Sequence, residues 1–155
     1  MRIHGRWLCS LALAGVLAAP LFGCAKAPLI GKGTLRVTLT ATAAANNCGK
    51  TTGFPLTFRV LQVNDASAIA GLSLKQVWDK EEKVLGGAFL KKTEGFVDPG
   101  RSVQLPVERE DGATAFIVIG NFCQSQGSTW YHVQPLSKGV SVKMIAEATG
   151  FRPSK

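Results

Sequence analysis

Strict alternation of apolar and polar side chains constrains the fold of this chain more than any other feature. Over residues 34–42, apolar side chains occupy every second position between threonines and an arginine, so they share one face of an extended segment. Residues 55–63 repeat this period of two. The pattern is typical of strands that pack one face on a core and expose the other. The chain is therefore predicted to be mainly β.

Two other patterns complete the predicted core. Residues 115–122 are almost all apolar, which indicates a strand buried on both faces. Residues 66–78 have apolar positions near helical spacing, with Ser73 as N-cap, and Gly71 divides them into two short helices or turns. Further short strands are predicted at residues 89–90, 95–97, 102–107, 130–133 and 140–146. Many short strands with one helical insertion predict a two-sheet β-sandwich.

Four polar stretches separate these elements. Residues 79–83 are predicted to be charged and exposed, and residues 108–112 to form a polar hairpin connection. At residues 98–100, Asp-Pro-Gly predicts a turn, because proline presets φ and glycine accepts positive φ. Residues 43–54 are small and polar, with asparagines and glycines that favour turns. They predict a long exposed loop between the first two strands.

The first residues of the chain have the pattern of an export signal. Arg2 and Arg6 begin a basic head, and the run over residues 7–19 is apolar and ends in small residues. This run is too short to span a membrane as a helix. Residues 1–23 are therefore predicted to be a signal peptide that is removed.

Residues 21–24, Leu-Phe-Gly-Cys, resemble the lipobox of bacterial lipoproteins. The resemblance implies that Cys24 carries the lipid, which is the one group expected besides the polypeptide, with no other cofactor. Residues 24–33 are then a tether rich in Pro, Gly and Lys, and residues 34–155 form the domain. In that family an aspartate after the cysteine often marks the inner membrane, so Ala25 implies the outer membrane. The alternative is a secreted protein in which Cys24 is structural.

The basic charge of the chain does not indicate nucleic-acid binding. Lys and Arg number 18 against 10 Asp and Glu, which gives a net charge of +8. These cations are scattered, and no tight basic cluster with interleaved aromatic residues occurs. An exported protein also leaves the compartment that holds nucleic acid. We therefore expect no nucleic-acid partner.

The four cysteines of the chain are expected to have different roles. Cys9 leaves with the signal peptide and Cys24 is assigned to lipid, which leaves Cys48 and Cys123. Two thiols in an oxidising compartment are expected to form a disulfide if the fold brings them together. Two buried free thiols or one reactive thiol are the alternatives. The absence of a CxxC motif or a Cys/His cluster predicts no metal site.

No arrangement of residues predicts catalysis. His132 is the one histidine after residue 23, and its place between Tyr131 and Val133 is typical of a strand surface. The acidic pair Glu81 and Glu82 lies in a hydrophilic stretch, where adjacent carboxylates are usually solvated. We therefore expect that the protein is not an enzyme.

The order of features resembles one family. The lipobox is followed by a loop containing Asn46, by Pro-Leu-Thr-Phe-Arg-Val-Leu-Gln-Val at residues 55–63, and by a helical segment. Glu-Gly-Phe-Val-Asp-Pro-Gly at residues 94–100 and the apolar strand at 115–122 come next. This order is similar to that of the TssJ (SciN/VasD) outer-membrane lipoproteins of type VI secretion systems. The resemblance covers residues 35–136.

That resemblance implies a fold, a place and a partner. The fold is a transthyretin-like two-sheet β-sandwich with a short helical insertion, and the domain faces the periplasm without catalytic activity. Its role is to bind the periplasmic C-terminal region of TssM in the TssJLM complex, with TssL contacted indirectly. The family's partner surface includes the loop after the first strand, which implies Asn46, Asn47, Lys50 and Thr51 as contacts.

Two features keep other readings open. Cys48 lies within this loop, so a bridge to Cys123 either preorganises the binding surface or marks the loop as structural, with the partner bound elsewhere. The helical insertion at residues 65–83 is a second possible contact surface. A different alternative is a stand-alone lipoprotein that binds a small ligand or carbohydrate in a transthyretin-like sandwich. It requires a pocket lined by exposed aromatic residues such as Trp78 or Trp130.

Overall fold

Two four-stranded sheets pack against each other in the computed structural model, which describes residues 33–154. The predicted signal peptide, the predicted lipidation site Cys24 and the predicted tether up to residue 32 lie outside the described residues. The strands are β1 (Thr34–Ala41), β2 (Leu56–Val63), β3 (Phe89–Val97), β4 (Ser102–Glu108), β5 (Ala115–Gly120), β6 (Tyr131–Pro135), β7 (Ser141–Ala146) and β8 (Phe151–Pro153). Their order is β4-β1-β7-β8 in the first sheet and β3-β2-β5-β6 in the second.

The predicted β-sandwich is confirmed, and β1 shows why the alternation matters. Its apolar residues are buried between the sheets while its polar residues face outward. It pairs antiparallel with β4 and parallel with β7. All six residues of β5 are buried, as the apolar run predicted. The strands β2 and β6 flank its edges, and the core and the helical insertion cover its two faces.

Three details of the predicted strands are wrong. Residues 108–112 do not form a hairpin connection, because β4 pairs with β1 in one sheet and β5 pairs with β2 in the other. The two short strands predicted at residues 89–97 are one continuous strand, held along its length by β2. The sequence pattern also missed β8, which is only three residues long and is defined by its pairing with β7.

The helical insertion covers the outer face of the second sheet. A 3₁₀ turn, Ala66–Ile69, precedes helix α1, Leu74–Leu85, and two further 3₁₀ turns are Gly86–Ala88 and Leu136–Lys138. Ser73 caps α1 as predicted, because its hydroxyl accepts from the backbone N–H of Gln76 while the Gln76 side chain accepts from the Ser73 N–H. The helix includes residues 79–83, so the prediction of a wholly exposed stretch there is wrong. Glu81 within it is buried.

Candidate functional site

Four connections meet at one end of the sandwich, which we call the loop end: residues 42–55, 98–101, 121–130 and 147–150. Backbone hydrogen bonds join them. Thr42 O accepts from Gly100 N at 3.2 Å, and Glu147 O accepts from Asn46 N at 3.0 Å. The predicted turn at residues 98–100 is present, with Gly100 at φ +72° and Arg101 N bonded to Asp98 O. The long loop predicted between the first strands is thus one part of a connected surface.

Asn46 holds this loop from the inside. Its side chain is buried, with the residue only 5% exposed, so the expectation of an exposed position is wrong there. Its amide oxygen accepts from the backbone N–H of Cys123 at 2.9 Å, and its amide nitrogen donates to the carbonyl of Pro55 at 3.2 Å. The residue adopts φ +51°, a left-handed conformation that asparagine tolerates better than most residues. Asn46 therefore positions the loop and does not present a side chain to a partner.

A disulfide adds a covalent connection at the same place. Cys48 is bonded to Cys123, with their Cα atoms 5.2 Å apart and a sequence separation of 75. The bridge lies two residues from Asn46, and the Asn46 amide bonds the backbone of the same Cys123. The loop after β1 is therefore attached to the segment after β5 by one covalent bond and one buried hydrogen bond.

The remaining predicted contacts lie on the outside of this fixed loop. Lys50 and Thr51 are exposed, and Asn47 is half-buried with its side-chain oxygen accepting from Gly49 N at 3.1 Å. Lys50 N donates to Asn47 O at 2.9 Å, so residues 47–50 form a turn and Thr51 directly follows it. The Lys50 ammonium lies 5.1 Å from the centre of the Phe54 ring, which restrains its side chain. The structure thus brings together Asn47, Lys50 and Thr51 as an exposed polar surface.

Gly53 allows the loop to fold back on itself. A Cβ atom at this position would lie 2.6 Å from the carbonyl oxygens of both Ala43 and Ala45. The close approach lets Gly53 N donate to Ala43 O at 3.1 Å. Any larger residue would therefore push the loop away from its own first turn.

Phe96 is an exposed residue beside the loop end that the sequence prediction missed. It is 66% exposed on the outer face of the edge strand β3. Pro55, Thr57 and Gly95 line a groove of about 340 Å³ beside it, and Pro55 is the last residue of the connection after β1. The signal was present in the sequence, because Phe96 lies in phase with the outward Lys92 and Glu94. An aromatic residue on the polar side of a strand marks a surface that a partner can use.

Arg59 attaches helix α1 to the second sheet. Its guanidinium donates to the carbonyl of Trp78 at 2.7 Å and to Glu94 at 2.8 Å, and it lies 4.0 Å from the centre of the Trp78 ring. It also forms an ion pair with Glu81 at 3.4 Å, and Lys92 bonds the other oxygen of the same carboxylate. Glu81 was expected to be solvated and is instead the buried centre of this cluster. Burial works to raise the pKa of Glu81, yet the Lys92 hydrogen bond and the two cations outweigh it and hold the pKa below its ordinary value.

The aromatic residues do not form the ligand pocket that the small-ligand alternative requires. Trp130 is 3% exposed and belongs to the core, so it does not supply the exposed ring that this alternative requires. Trp78 is half-buried under Arg59 and lines a groove of about 400 Å³ between α1 and residues 121–125. Polar groups such as Lys75 and Asn121 supply much of the remaining lining of that groove.

Within residues 33–154, no helix is both long enough and apolar enough to cross a bilayer. The same part of the chain contains no group of three or more His, Cys, Asp or Glu residues placed to hold a metal ion.

The fold and the loop end define a β-sandwich domain that presents a restrained loop on a rigid scaffold. The particular family follows from comparison with known proteins. Residues 33–148 match the family described as T6SS-SciN, "Type VI secretion lipoprotein, VasD, EvfM, TssJ, VC_A0113", and the chain belongs to this family of type VI secretion lipoproteins. The predicted resemblance is confirmed. No curated protein matched the sequence of this chain.

Solved structures share the fold. Serratia marcescens Lip, a membrane-bound component of the type VI secretion system, is 20% identical with a TM-score of 0.72, over 80% of this chain and 97% of that chain. The T6SS lipoprotein TssJ1 from Pseudomonas aeruginosa is 16% identical with a TM-score of 0.67, over 80% and 99%. A chain in the structure described as the T6SS protein TssM C-terminal domain (869–1107) from EAEC is 16% identical with a TM-score of 0.69, over 79% and 98%.

Proposed function

We propose that this secretion lipoprotein is held in the outer membrane by lipid on Cys24, faces the periplasm and binds the periplasmic C-terminal region of TssM. In this role it contributes a structural attachment to the TssJLM complex and performs no catalysis. Membership of the type VI secretion lipoprotein family supports the proposal. A chain with the same fold occurs in the structure described as the T6SS protein TssM C-terminal domain, which supports the choice of TssM as the partner.

The observation that carries the binding surface is the double attachment of the loop after β1. The disulfide of Cys48 and the buried amide of Asn46 both restrain the loop before any partner arrives. A restrained loop loses less conformational entropy on association, which favours affinity. Asn47, Lys50 and Thr51 are the side chains that the restrained loop presents. We therefore propose that the Cys48 bridge preorganises the binding surface, which is the first of the two interpretations of this cysteine.

The test changes the exposed residues and leaves the restraints intact. Lys50→Glu combined with Thr51→Ala keeps Asn46, Cys48 and Gly53, so the loop should stay folded. We expect co-purification with the periplasmic part of TssM to weaken by about tenfold or more, because contacts in the centre of an interface carry most of its free energy. Lys83→Glu, an exposed charge reversal near the end of α1, is the matched control and should bind normally. Undiminished binding by the loop variant would remove this surface from the proposal.

A further inference from the structure

The end of the sandwich opposite the loop end carries an exposed large apolar side chain, Val140. In the described part of the chain, only Phe96 and Val140 are large hydrophobic residues with high exposure, at 66% and 44%. Val140 lies directly before β7, and its carbonyl accepts from the backbone N–H of Arg36 at 2.8 Å. The exposed valine is therefore held in place by the first strand, and its exposure is a fixed property of this end.

Three cations lie near Val140 in the fold, two on the outer face of the first sheet and one in the connection before β7. Lys138 lies two residues before it in the same connection. Arg36 pairs with Ser141 and Thr38 pairs with Lys143 in the parallel register of β1 and β7, which places Arg36 and Lys143 on the same outward face of adjacent strands. All three cations are exposed, and none forms an ion pair with another residue of 33–154. We call Arg36, Lys138, Val140 and Lys143 the anchor-side patch.

Acidic groups lie around this patch without neutralising it directly. Glu108 pairs with Thr34 on the β4 side of β1, away from β7. The carboxylate of Glu110 bonds Lys91 at 3.2 Å. Glu147 lies at the loop end, far from the patch, and its carboxylate bonds Arg152. The positive charge is therefore concentrated on the β7 side of the sheet.

The chain enters the domain at this same end. Gly33 precedes β1, and its carbonyl accepts from Arg109 N at 3.0 Å. Cys24 lies nine residues before Gly33 in the sequence. Nine residues reach at most about 30 Å when fully extended. If Cys24 carries the lipid, as the proposed function states, this end of the sandwich stays close to the bilayer surface.

We infer that the anchor-side patch rests directly on an anionic phospholipid surface and orients the sandwich so that its loop end points away from the membrane. Lysine and arginine side chains are attracted to anionic headgroups, and the attraction decays within a Debye length of about 8 Å, so it requires contact. Val140 adds an apolar side chain that enters the headgroup region. The lipid gives attachment, and the patch gives orientation. The inference rests on the lipid anchor of the proposed function.

The experiment uses the mature lipidated chain in vesicles of phosphatidylcholine with and without phosphatidylglycerol. A diazirine amino acid replaces Val140 in one protein and Phe96 in a second, and lipid adducts are measured by mass spectrometry after illumination. We expect several-fold more lipid adducts at position 140 than at position 96, and more when phosphatidylglycerol is present. Equal adducts at the two positions would overturn the orientation. If the number of adducts at position 140 does not depend on phosphatidylglycerol, the electrostatic contact is overturned.

Charge variants separate this inference from the proposed function. Arg36→Glu with Lys138→Glu should reduce the adducts at 140 to the level seen at 96, whereas Arg101→Glu, an exposed cation at the loop end, should not change them. The double variant should still co-purify with the periplasmic part of TssM in detergent. Flotation of the unaltered protein with vesicles, and its loss in Cys24→Ser, test the anchor itself. If the double variant floats normally and its adducts at position 140 are unaltered, the membrane contact of the patch is contradicted while the lipid anchor stands.

Discussion

The two ends of the sandwich are built by different means. At the loop end, connections far apart in sequence are joined by the Cys48–Cys123 disulfide and by the buried Asn46 side chain. At the anchor side, the connection that carries Val140 is short and is held to β1 by a backbone hydrogen bond. The loop end restrains a long segment through a disulfide and a buried side chain, whereas the connection 136–140 at the anchor side is only five residues long and is held by a backbone hydrogen bond.

This difference separates two tasks. A surface that recognises a protein must hold several side chains in one geometry, so it gains from restraints within the fold. A surface that meets a membrane needs only charge and an apolar side chain near the attachment point, because a bilayer presents no fixed shape. The contrast can be tested by changing each restraint and asking which property of the protein follows.

The largest effect on the comparison should come from removing the disulfide. Cys48→Ser combined with Cys123→Ser opens a link that spans 75 positions, which should lower the free energy of unfolding by about 4 kcal/mol in the chain-entropy description. Urea unfolding of the variant and of the oxidised protein measures the difference. Peptide mapping with and without reductant checks that the bridge is present in the mature protein. An unchanged midpoint would show that the loop end does not depend on its covalent link.

The next effect distinguishes stability from binding. Asn46→Ala leaves the N–H of Cys123 and the carbonyl of Pro55 without their side-chain partner, and alanine tolerates the left-handed backbone poorly. We expect a loss of about 3 kcal/mol in the free energy of unfolding. Binding to TssM should weaken as well, because the loop loses an internal restraint.

Arg59→Ala is the matched control for that variant. It leaves Glu81 buried with one cation fewer and should cost a similar amount, about 3 kcal/mol. Its site lies beneath α1, away from the loop turn, so TssM binding by the folded protein should be retained. Equal loss of binding in both variants, measured well below their unfolding temperatures, would mean that binding follows stability and not the loop restraint.

The smallest predicted effect is a pH dependence. The pKa of Glu81 is lower in the folded protein than its ordinary value of 4.5. The ionised carboxylate therefore stabilises the fold fully above pH 4.5, and this contribution is lost as the pH falls toward the lower folded-state pKa. Glu81→Gln should remove this part of the acid sensitivity, with an effect of about 1 kcal/mol at neutral pH. Thermal unfolding between pH 3 and pH 7 measures the slope, and an unaltered slope would exclude Glu81 as a contributor.

Much of the fold could be predicted because its signals are local. The alternation in β1 and β2, the apolar run of β5 and the cap at Ser73 each depend on neighbouring residues, and the structure confirms them. The hairpin expected at residues 108–112 failed because strand pairing depends on residues far apart in sequence. No local pattern indicates that β4 joins β1 while β5 joins β2.

The candidate site was predicted in part for the same reason. Residues 46–51 were identified as a loop from their turn chemistry, but the burial of Asn46 depends on a backbone group 77 positions away. Glu81 looked solvated because its neighbours in sequence are charged. Its cations come from β2 and β3, so only the assembled sheet reveals its burial.

The sequence by itself determined most of the strands, the helix cap and the family resemblance, and it predicts an export signal and a lipidation site, because each depends on adjacent residues or on their order. The tertiary structure alone decided which side of the loop faces outward, where Phe96 and Val140 lie, and which charges are buried. These properties arise from contacts between distant segments. These contacts form, and stabilise the fold, only when the two sheets and the helix have assembled.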